Sequence, residues 1–330
     1  MKIRLGTFNL FQFVEPPYSW YVKKDKFTSL QWEEKTTWIK NQIIKMDCDI
    51  IGFQEVFSAS ALQKIVFDLG YTYFETVETA RVDKKNDKVY VSTTVAVASK
   101  YQITQLLDVE ANITSIKKHN FDGFFKFSRV PIKARIMLPN EQEILVYVCH
   151  LKSNWQNEFE YIFTKNDSLE DKKKQVNKAL KDNYSESLKQ RLCEASSLFF
   201  DINKSKSLPI ILMCDLNDRE FSLTIDALTN KTYHYDSKKD NYLLVDAYKL
   251  YDKKIYNPHP EQKEIKRTST SYFAGKGNVL DYIFISKDIC KNDLNTISSY
   301  EIFDDHLQKN QNGSLVQSDH AQVVCEITFS

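Results

Sequence analysis

The 330-residue chain predicts an α/β fold, a sandwich of two mixed β-sheets packed face to face with helices outside. Three observations carry that expectation. Short apolar runs of strand character recur from one end of the chain to the other, with helical stripes between them. Hydrophobic residues make up 42% of the chain and aromatic residues 13%, ample for a large core. Residues able to do chemistry sit at the tips of those runs from Asn9 to His320, so any cut would divide them; residues 1–330 are therefore read as one domain.

Taken in order, strands are expected at Ile3–Asn9 and Ile50–Gln54, with Trp32, Thr36, Ile39 and Ile43 at helical spacing between them. After Glu55, Ser58 or Ser60 caps a helix that carries Leu62, Ile65, Val66 and Leu69, and Gly70 stops it. Further strands are expected at Val89–Ser99, Ile132–Leu138, Ile144–Cys149, Pro209–Cys214, Val279–Ile285 and Gln322–Phe329. One long helix is expected between Asp171 and Asn203, where Val176, Leu180, Tyr184, Leu188, Leu192, Ala195 and Phe199 form a stripe opposite lysines and acids. Its Lys172-Lys173-Lys174 run reads either as a solvated face or as a contact to a phosphate backbone.

The tips of the runs carry six signatures: Thr7-Phe8-Asn9, Phe53-Gln54-Glu55, His150-Leu151-Lys152-Ser153-Asn154, Asp215-Leu216-Asn217-Asp218, Leu280-Asp281-Tyr282 and Ser318-Asp319-His320. A core needs apolar runs, but it does not need each to end in a carboxylate, an amide or an imidazole. Asn9, Glu55, His150 and Asp215 follow their strands, whereas Asp281 and Asp319 precede theirs. In antiparallel neighbours the end of one strand lies beside the start of the next, so both groups are expected on one rim.

Glu55 closes a wholly apolar stretch, where an acid is costly unless paired or metal-bound. With the Asn9 amide oxygen and the Asp319 carboxylate it would give the oxygen ligands Mg²⁺ prefers. Taken singly, Glu55 reads equally as an acid serving the N-terminus of the next helix. Asp215 suits the orientation or deprotonation of a water, and Asn217 donation to a phosphate oxygen, although both are also ordinary turn formers. His150, followed by Lys152 and Ser153, suits a phosphate that gains charge. Asp319 and His320 put a metal ligand beside a titratable base. Asp281 would accept from the His320 ring and fix its tautomer, or else it opens a turn.

Charge and cysteine usage narrow the function. With 45 basic and 44 acidic residues, a net charge of +1 leaves no global field for coating a nucleic acid. The first residues enter a strand at once, leaving no room for a signal peptide. No run approaches the roughly 18–20 apolar residues that span a bilayer. Cys48, Cys149, Cys193, Cys214, Cys290 and Cys325 are scattered with no CxxC pair, which fits buried thiols in a reducing cytoplasm better than disulfides or zinc. No obligate protein partner is evident.

Over nearly its whole length, and with the six signatures in order, the chain resembles the endonuclease/exonuclease/phosphatase (DNase I-like) superfamily, and within it the nuclease-like bacterial members. The resemblance implies a four-layered α/β sandwich and a Mg²⁺-dependent phosphoester hydrolase, Mn²⁺ being able to substitute. It implies Asn9, Glu55 and Asp319 in the metal shell, and His150 and Asn217 on the scissile phosphate. Asp215 would position or activate water, and His320, supported by Asp281, would complete the centre. Arg129, within Phe127-Ser128-Arg129-Val130-Pro131, lies where relatives often place a phosphate-contacting arginine, alongside Lys152 and Ser153. One departure is Cys214, where the family commonly has Gly; it is expected to alter packing behind Asp215 rather than the reaction.

Substrate is read from what differs. The chain has Val279-Leu280-Asp281-Tyr282 where 5-phosphatases carry a Trp-Cys-Asp-Arg stretch. The missing secretion signal weighs against a secreted sphingomyelinase or toxin. His-Leu-Lys-Ser followed by a long helix with Arg191, Glu194 and Ala195 looks nuclease-like, so nucleic acid is the expected substrate. The alternatives are a phosphatase or phospholipase-C-like hydrolase of a phosphoinositide, sphingomyelin or other small phosphoester, and a non-catalytic binding module. Aromatics in 15–27 (Tyr18, Trp20, Tyr21) and in 119–127 (Phe121, Phe124, Phe125) would stack on bases, insert into lipid, or pack beneath a loop.

Overall fold

Several strands are apolar on every residue because each sheet is covered on both faces. In Glu143–His150, Ile144, Val146 and Val148 point into the layer between the sheets, while Leu145, Tyr147 and Cys149 face helices. The computed structural model describes residues 1–119, 121, 124–154, 161–181, 185–230, 232–234, 244–251, 267–273, 275–290, 297–307 and 316–329. One sheet runs in the order Ile297–Phe303, Gln322–Thr328, Lys2–Phe13, Ile50–Val56, Thr94–Ser99, Tyr73–Glu75. The other runs Leu244–Asp246, Asp281–Ser286, Ile210–Asp215, Glu143–His150, Ile132–Met137, Ile103–Leu107.

Each sheet holds one parallel pair among antiparallel neighbours. Lys2–Phe13 pairs with Ile50–Val56, and Glu143–His150 with Ile210–Asp215. Parallel neighbours need a crossover, and helices supply both. Ser29–Met46 crosses the first sheet, packing Ile39, Ile43 and Met46 on Phe8, Ile51 and Phe53. Leu169–Lys181 and Glu186–Lys204 cross the second, burying Val176, Leu188, Leu192 and Leu198 over Tyr147 and Leu212. The layers are helix, sheet, sheet, helix, as expected. Gly52 marks a close approach of the sheets: a Cβ there would lie 3.0 Å from the Val148 side chain and 3.2 Å from Met213 Cβ.

Several boundaries differ from the sequence expectation. The long helix is two, because Leu169–Lys181 ends and Glu186–Lys204 starts afresh, each packing its own face on the same core. Tyr184 lies outside the described residues. The expected strand Val89–Ser99 divides: Val89–Tyr90 pairs with Ser19–Trp20 in a small ribbon, and only Thr94–Ser99 joins the sheet. Ser58 precedes the Ala59–Asp68 helix, but its hydroxyl accepts from the Glu15 N–H instead of capping. Gly70 stops that helix at φ 89°. Lys172 is neither a solvated face nor a backbone contact: it is buried and paired with Asp226 at 2.9 Å. Cys48, Cys149, Cys193, Cys214 and Cys325 are buried free thiols, and the Cys290 side chain lies outside the described residues. Among the described residues no helix is long and apolar enough to cross a membrane.

Candidate active site

Strand register assembles the centre. Asp215 ends its strand directly opposite His150 on one side and Asp281 on the other. On the facing sheet, Asn9 and Glu55 lie inside strands that run further than expected, at places where the register shifts. Phe11, Gln12 and Glu55 there have φ of 50°, 55° and 59°, and Asn217 beside Asp215 has 49°. Such left-handed non-glycine residues cost about 1–3 kcal/mol each, so the surrounding fold must hold them. The bulges re-aim side chains at the rim. The Gln12 N–H donates to Glu55 Oε2 at 2.8 Å and fixes that carboxylate.

Hydrogen bonds then join the two sheets. Asn9 Nδ2 donates to Asp215 Oδ2 at 2.9 Å, while its Oδ1 accepts from the Phe11 N–H at 3.0 Å. The Asn217 N–H donates to Asp215 Oδ1 at 2.8 Å, and Asn217 Nδ2 donates to the Leu151 carbonyl at 3.0 Å. His320 Nδ1 donates to Asp281 Oδ2 at 2.8 Å, the acid–histidine pair expected from the sequence positions. Ser318 Oγ donates to the Asn9 carbonyl and accepts from the His320 N–H, tying the last signature to the first. His150 Nε2 lies 3.4 Å from Asp215 Oδ2, and His150 Nδ1 is buried with no hydrogen-bond partner among the described residues.

Burial sets the electrostatics. It pushes the Asp215 carboxyl up to about 7; Asp281 adds to the rise, against the opposing pull of His320. Burial alone would strip the proton from His320, but Asp281, Asp215 and Asp319 outweigh it and hold the imidazole protonated well above its usual range. His150 goes the other way: burial, with Arg129 and His320 nearby, keeps it neutral. Two histidines at one rim thus hold different charges because only one of them faces three carboxylates.

Glu55 and Asp319 form an oxygen-only donor pair. Burial, then the Glu55 charge, push the Asp319 carboxyl up to about 6 against His320, although its side chain is 46% exposed to the cleft. Asp319 Oδ1 is enclosed and has no hydrogen-bond partner among the described residues. Two carboxylates whose charges bear on each other, one with an enclosed oxygen that no hydrogen bond among the described residues uses, could hold a hard divalent cation. Asp215, Asp281 and His320 also bring potential ligand atoms within 4.8 Å of one another. The His320 imidazole borders both donor sets, its Nε2 lying 4.0 Å from Asp319 Oδ1.

The 150–153 loop is pinned from the helix layer. Glu194 Oε2 accepts from the Lys152 N–H at 2.8 Å, and Arg191 Nη1 donates to the Lys152 carbonyl at 2.9 Å. Glu194 Oε1 also accepts from the Ser128 N–H, which fixes the segment before Arg129. Arg129 in turn donates to the Leu151 carbonyl at 3.1 Å and reaches Ser153 Oγ at 3.5 Å. Cys214 packs on the helix side of Asp215, its thiol 3.5 Å from the Tyr282 carbonyl.

Two residues near the carboxylates were not singled out for this role by the sequence. Lys35 is fully buried, donates to the Gln317 carbonyl at 3.4 Å and stands over the Phe11 and Phe27 rings. Burial drops its pKa to about 7 despite the Glu55 and Asp319 charges that support it. Its signal was present in the sequence: a lysine one turn before Ile39 on the buried face of a helix. Tyr21 is half-exposed, and its hydroxyl is raised by burial and Glu55 and lowered by Arg129. Trp20, by contrast, packs with Val14, Phe27 and Phe57 beneath its loop.

Two clefts meet at the 150–153 loop. One, of about 410 Å³, has Lys152, Arg129, Arg81, Tyr21 and Phe121 in its walls. The other, of about 550 Å³, holds Ser153, Asn217, Asp319, Tyr161, Phe163 and Tyr272. Phe124 stands 92% exposed apart from both.

No curated protein matches the chain. Among solved structures, it is similar to the human Nocturnin catalytic domain with bound sulfate anion, with 16% identity and a TM-score of 0.58 over 100% of this chain and 94% of that one. It is also similar to the Bacteroides thetaiotaomicron mannosyl-6-phosphatase, with 16% identity and a TM-score of 0.56 over 99% and 100%. A third is D. rerio TDP2 complexed with single strand DNA product, with 12% identity and a TM-score of 0.51 over 99% of each chain. At these identities the likeness is one of fold. Residues 6–320 match the model of the Endonuclease/Exonuclease/phosphatase family, and the chain belongs to that family of phosphoester hydrolases.

Proposed function

We propose that the chain hydrolyses phosphodiester bonds of nucleic acid, with Mg²⁺, or Mn²⁺ in its place, held by Glu55, Asp319 and the amide oxygen of Asn9. The observation that carries this reading is the pair of clefts meeting at Lys152 and Ser153, with Asn217 and Asp319 in the wall of one. A monoester has one substituent to seat, whereas a diester has two, and both clefts open on the same rim. When bound, the cation neutralises charge on the phosphate oxygens. Asp215, aimed by Asn9 and Asn217, accepts the proton of the attacking water. As the water oxygen bonds to phosphorus in line, the bond to the leaving oxygen breaks on the opposite side. His320, charged and braced by Asp281, faces the phosphate as that negative charge grows; His150, Asn217 and Arg129 add donors around it. The protein is read as cytoplasmic, with its described cysteines as buried free thiols.

A likeness to a mannosyl-6-phosphatase favours a second reading, hydrolysis of a small phosphoester. A Mg²⁺-dependent activity panel separates the two: single- and double-stranded DNA, RNA, an abasic duplex, a sugar phosphate, a phosphoinositide and sphingomyelin. Cleavage of a nucleic acid is the expected result. Turnover confined to the sugar phosphate or the lipids, by protein free of contaminating nuclease, would put the second reading in its place.

A further inference from the structure

The 410 Å³ cleft beside the reaction centre is lined by three cationic side chains, Arg81, Arg129 and Lys152, and by one acid, Glu186. In a chain whose net charge is only +1, that is a local concentration and not a global bias. The walls are continuous with the centre. Thr93, in the wall, donates from Oγ1 to the Val56 carbonyl, next to Glu55. Lys152 follows His150 by two residues, and both ends of its peptide are held by Arg191 and Glu194. Arg81 is exposed, with its backbone N–H and its Nε both directed to Ser92 Oγ, at 2.9 and 3.4 Å. The 19-residue helix Glu186–Lys204 begins in the same wall, and Ser185 gives it no side-chain cap bond. The start of a helix carries partial positive charge and unbonded N–H groups, both suited to an anion.

From this arrangement we infer that the cleft is a second phosphate subsite, which seats the phosphate next to the scissile one in a single-stranded oligonucleotide, with Arg81 as its specificity-determining residue. The inference rests on the nucleic-acid reading above and adds to it a requirement for a flanking phosphate. Guanidinium groups bind phosphate through paired, charge-assisted hydrogen bonds, and fixed cations at a cleft mouth also raise the local concentration of a polyanion. Tyr21, half-exposed in the same wall, is an aromatic side chain within reach of the nucleoside between the two phosphates. The occupant is the backbone of a nucleic acid rather than an acidic peptide, because Arg129 and Lys152 join the cleft to the phosphorus being attacked.

The test compares the full chain with Arg81→Ala, whose side chain is exposed, so that an unchanged melting temperature verifies the fold. Steady-state rates with Mg²⁺ are measured on a trinucleotide that carries a phosphate flanking the cleaved bond, and on a dinucleoside monophosphate that lacks one. The wild-type chain is expected to favour the trinucleotide, and Arg81→Ala to raise its KM about tenfold, the scale of one charge-assisted hydrogen bond, with kcat and the dinucleotide kinetics unchanged. Equal losses on both substrates, or a wild type with no preference, would overturn the inference. In parallel, binding of inorganic phosphate to the metal-free chain is measured by calorimetry for both proteins. Weaker binding to Arg81→Ala is expected; equal binding overturns the subsite. Weaker binding without cleavage of either substrate would leave the subsite standing and remove the nucleic-acid reading.

Discussion

At Asp215 and His320 the fold brings buried charges together and makes each serve the other. Asp281 fixes the His320 ring through Nδ1 at 2.8 Å, so the two act as one unit. His320→Ala is expected to lower kcat by roughly two or more orders of magnitude, and Asp281→Asn to act in the same direction. The double mutant should fall little below the worse single, because residues acting as a unit are not additive. Circular dichroism and single-turnover rates check both points. Asp215 brings a stability effect with a definite sign. Its carboxyl rises from 3.8 to about 7 on folding, so the folded state binds the proton more tightly than the unfolded one. That contribution is complete below the unfolded pKa and is lost as pH rises through about 7. In chelator, the melting temperature of Asp215→Asn relative to wild type should therefore be higher at about pH 8 than at about pH 5, while turnover is abolished. A pH-independent difference would contradict the account. Much of this was legible in the sequence, because carboxylates, amides and imidazoles at strand tips are chemically conspicuous. Lys35 was harder to read: it stands one turn before Ile39, but a lysine on a helix reads as part of its polar face until the Gln317 carbonyl and two rings are seen around it.

Among elements, the Glu186–Lys204 helix does the most for the site while touching no reacting atom. Arg191 and Glu194 are three residues apart, hence neighbours on one helix face, and they grip the carbonyl and the N–H of Lys152. Glu194→Ala would remove the carboxylate that accepts from the Lys152 and Ser128 N–H groups and leave the 150–153 loop held only by Arg191, Arg129 and Asn217 among the bonds described above. It is expected to lower kcat/KM about tenfold or more and to destabilise the fold by about 1–3 kcal/mol. Glu194→Gln, which keeps one oxygen, should recover part of both; steady-state kinetics and thermal denaturation read the result. Periodicity alone did not reveal that this helix begins afresh at Glu186. Val176, Leu180 and Leu188 keep the same spacing across the break, and both helices bury that stripe on one core. The edge strand Ile297–Phe303 was missed for a related reason: only Ile297 and Tyr300 are buried, so its run lacks the continuous apolar character of the central strands.

For the molecule as a whole, the two parallel pairs give each sheet one helix-crossed unit, and the Gly52 contact lets the sheets approach where those units carry their functional residues. Two clefts border the rim, one with Arg129 and Lys152 in its walls and the other with Ser153, Asn217 and Asp319. Sequence alone gave the order of the signatures, the layers and the convergence. It did not give the clefts, because they are built by loops and by the ends of helices far apart in the chain. The most direct test of the central claim is the cleavage rate of a single-stranded oligonucleotide by the purified chain with Mg²⁺, repeated in excess EDTA and with Asp215→Asn. The account predicts cleavage with Mg²⁺, its loss in EDTA, recovery on restoring Mg²⁺ or Mn²⁺, and no cleavage by the variant. Cleavage that persists undiminished in EDTA, or in folded Asp215→Asn, would contradict it.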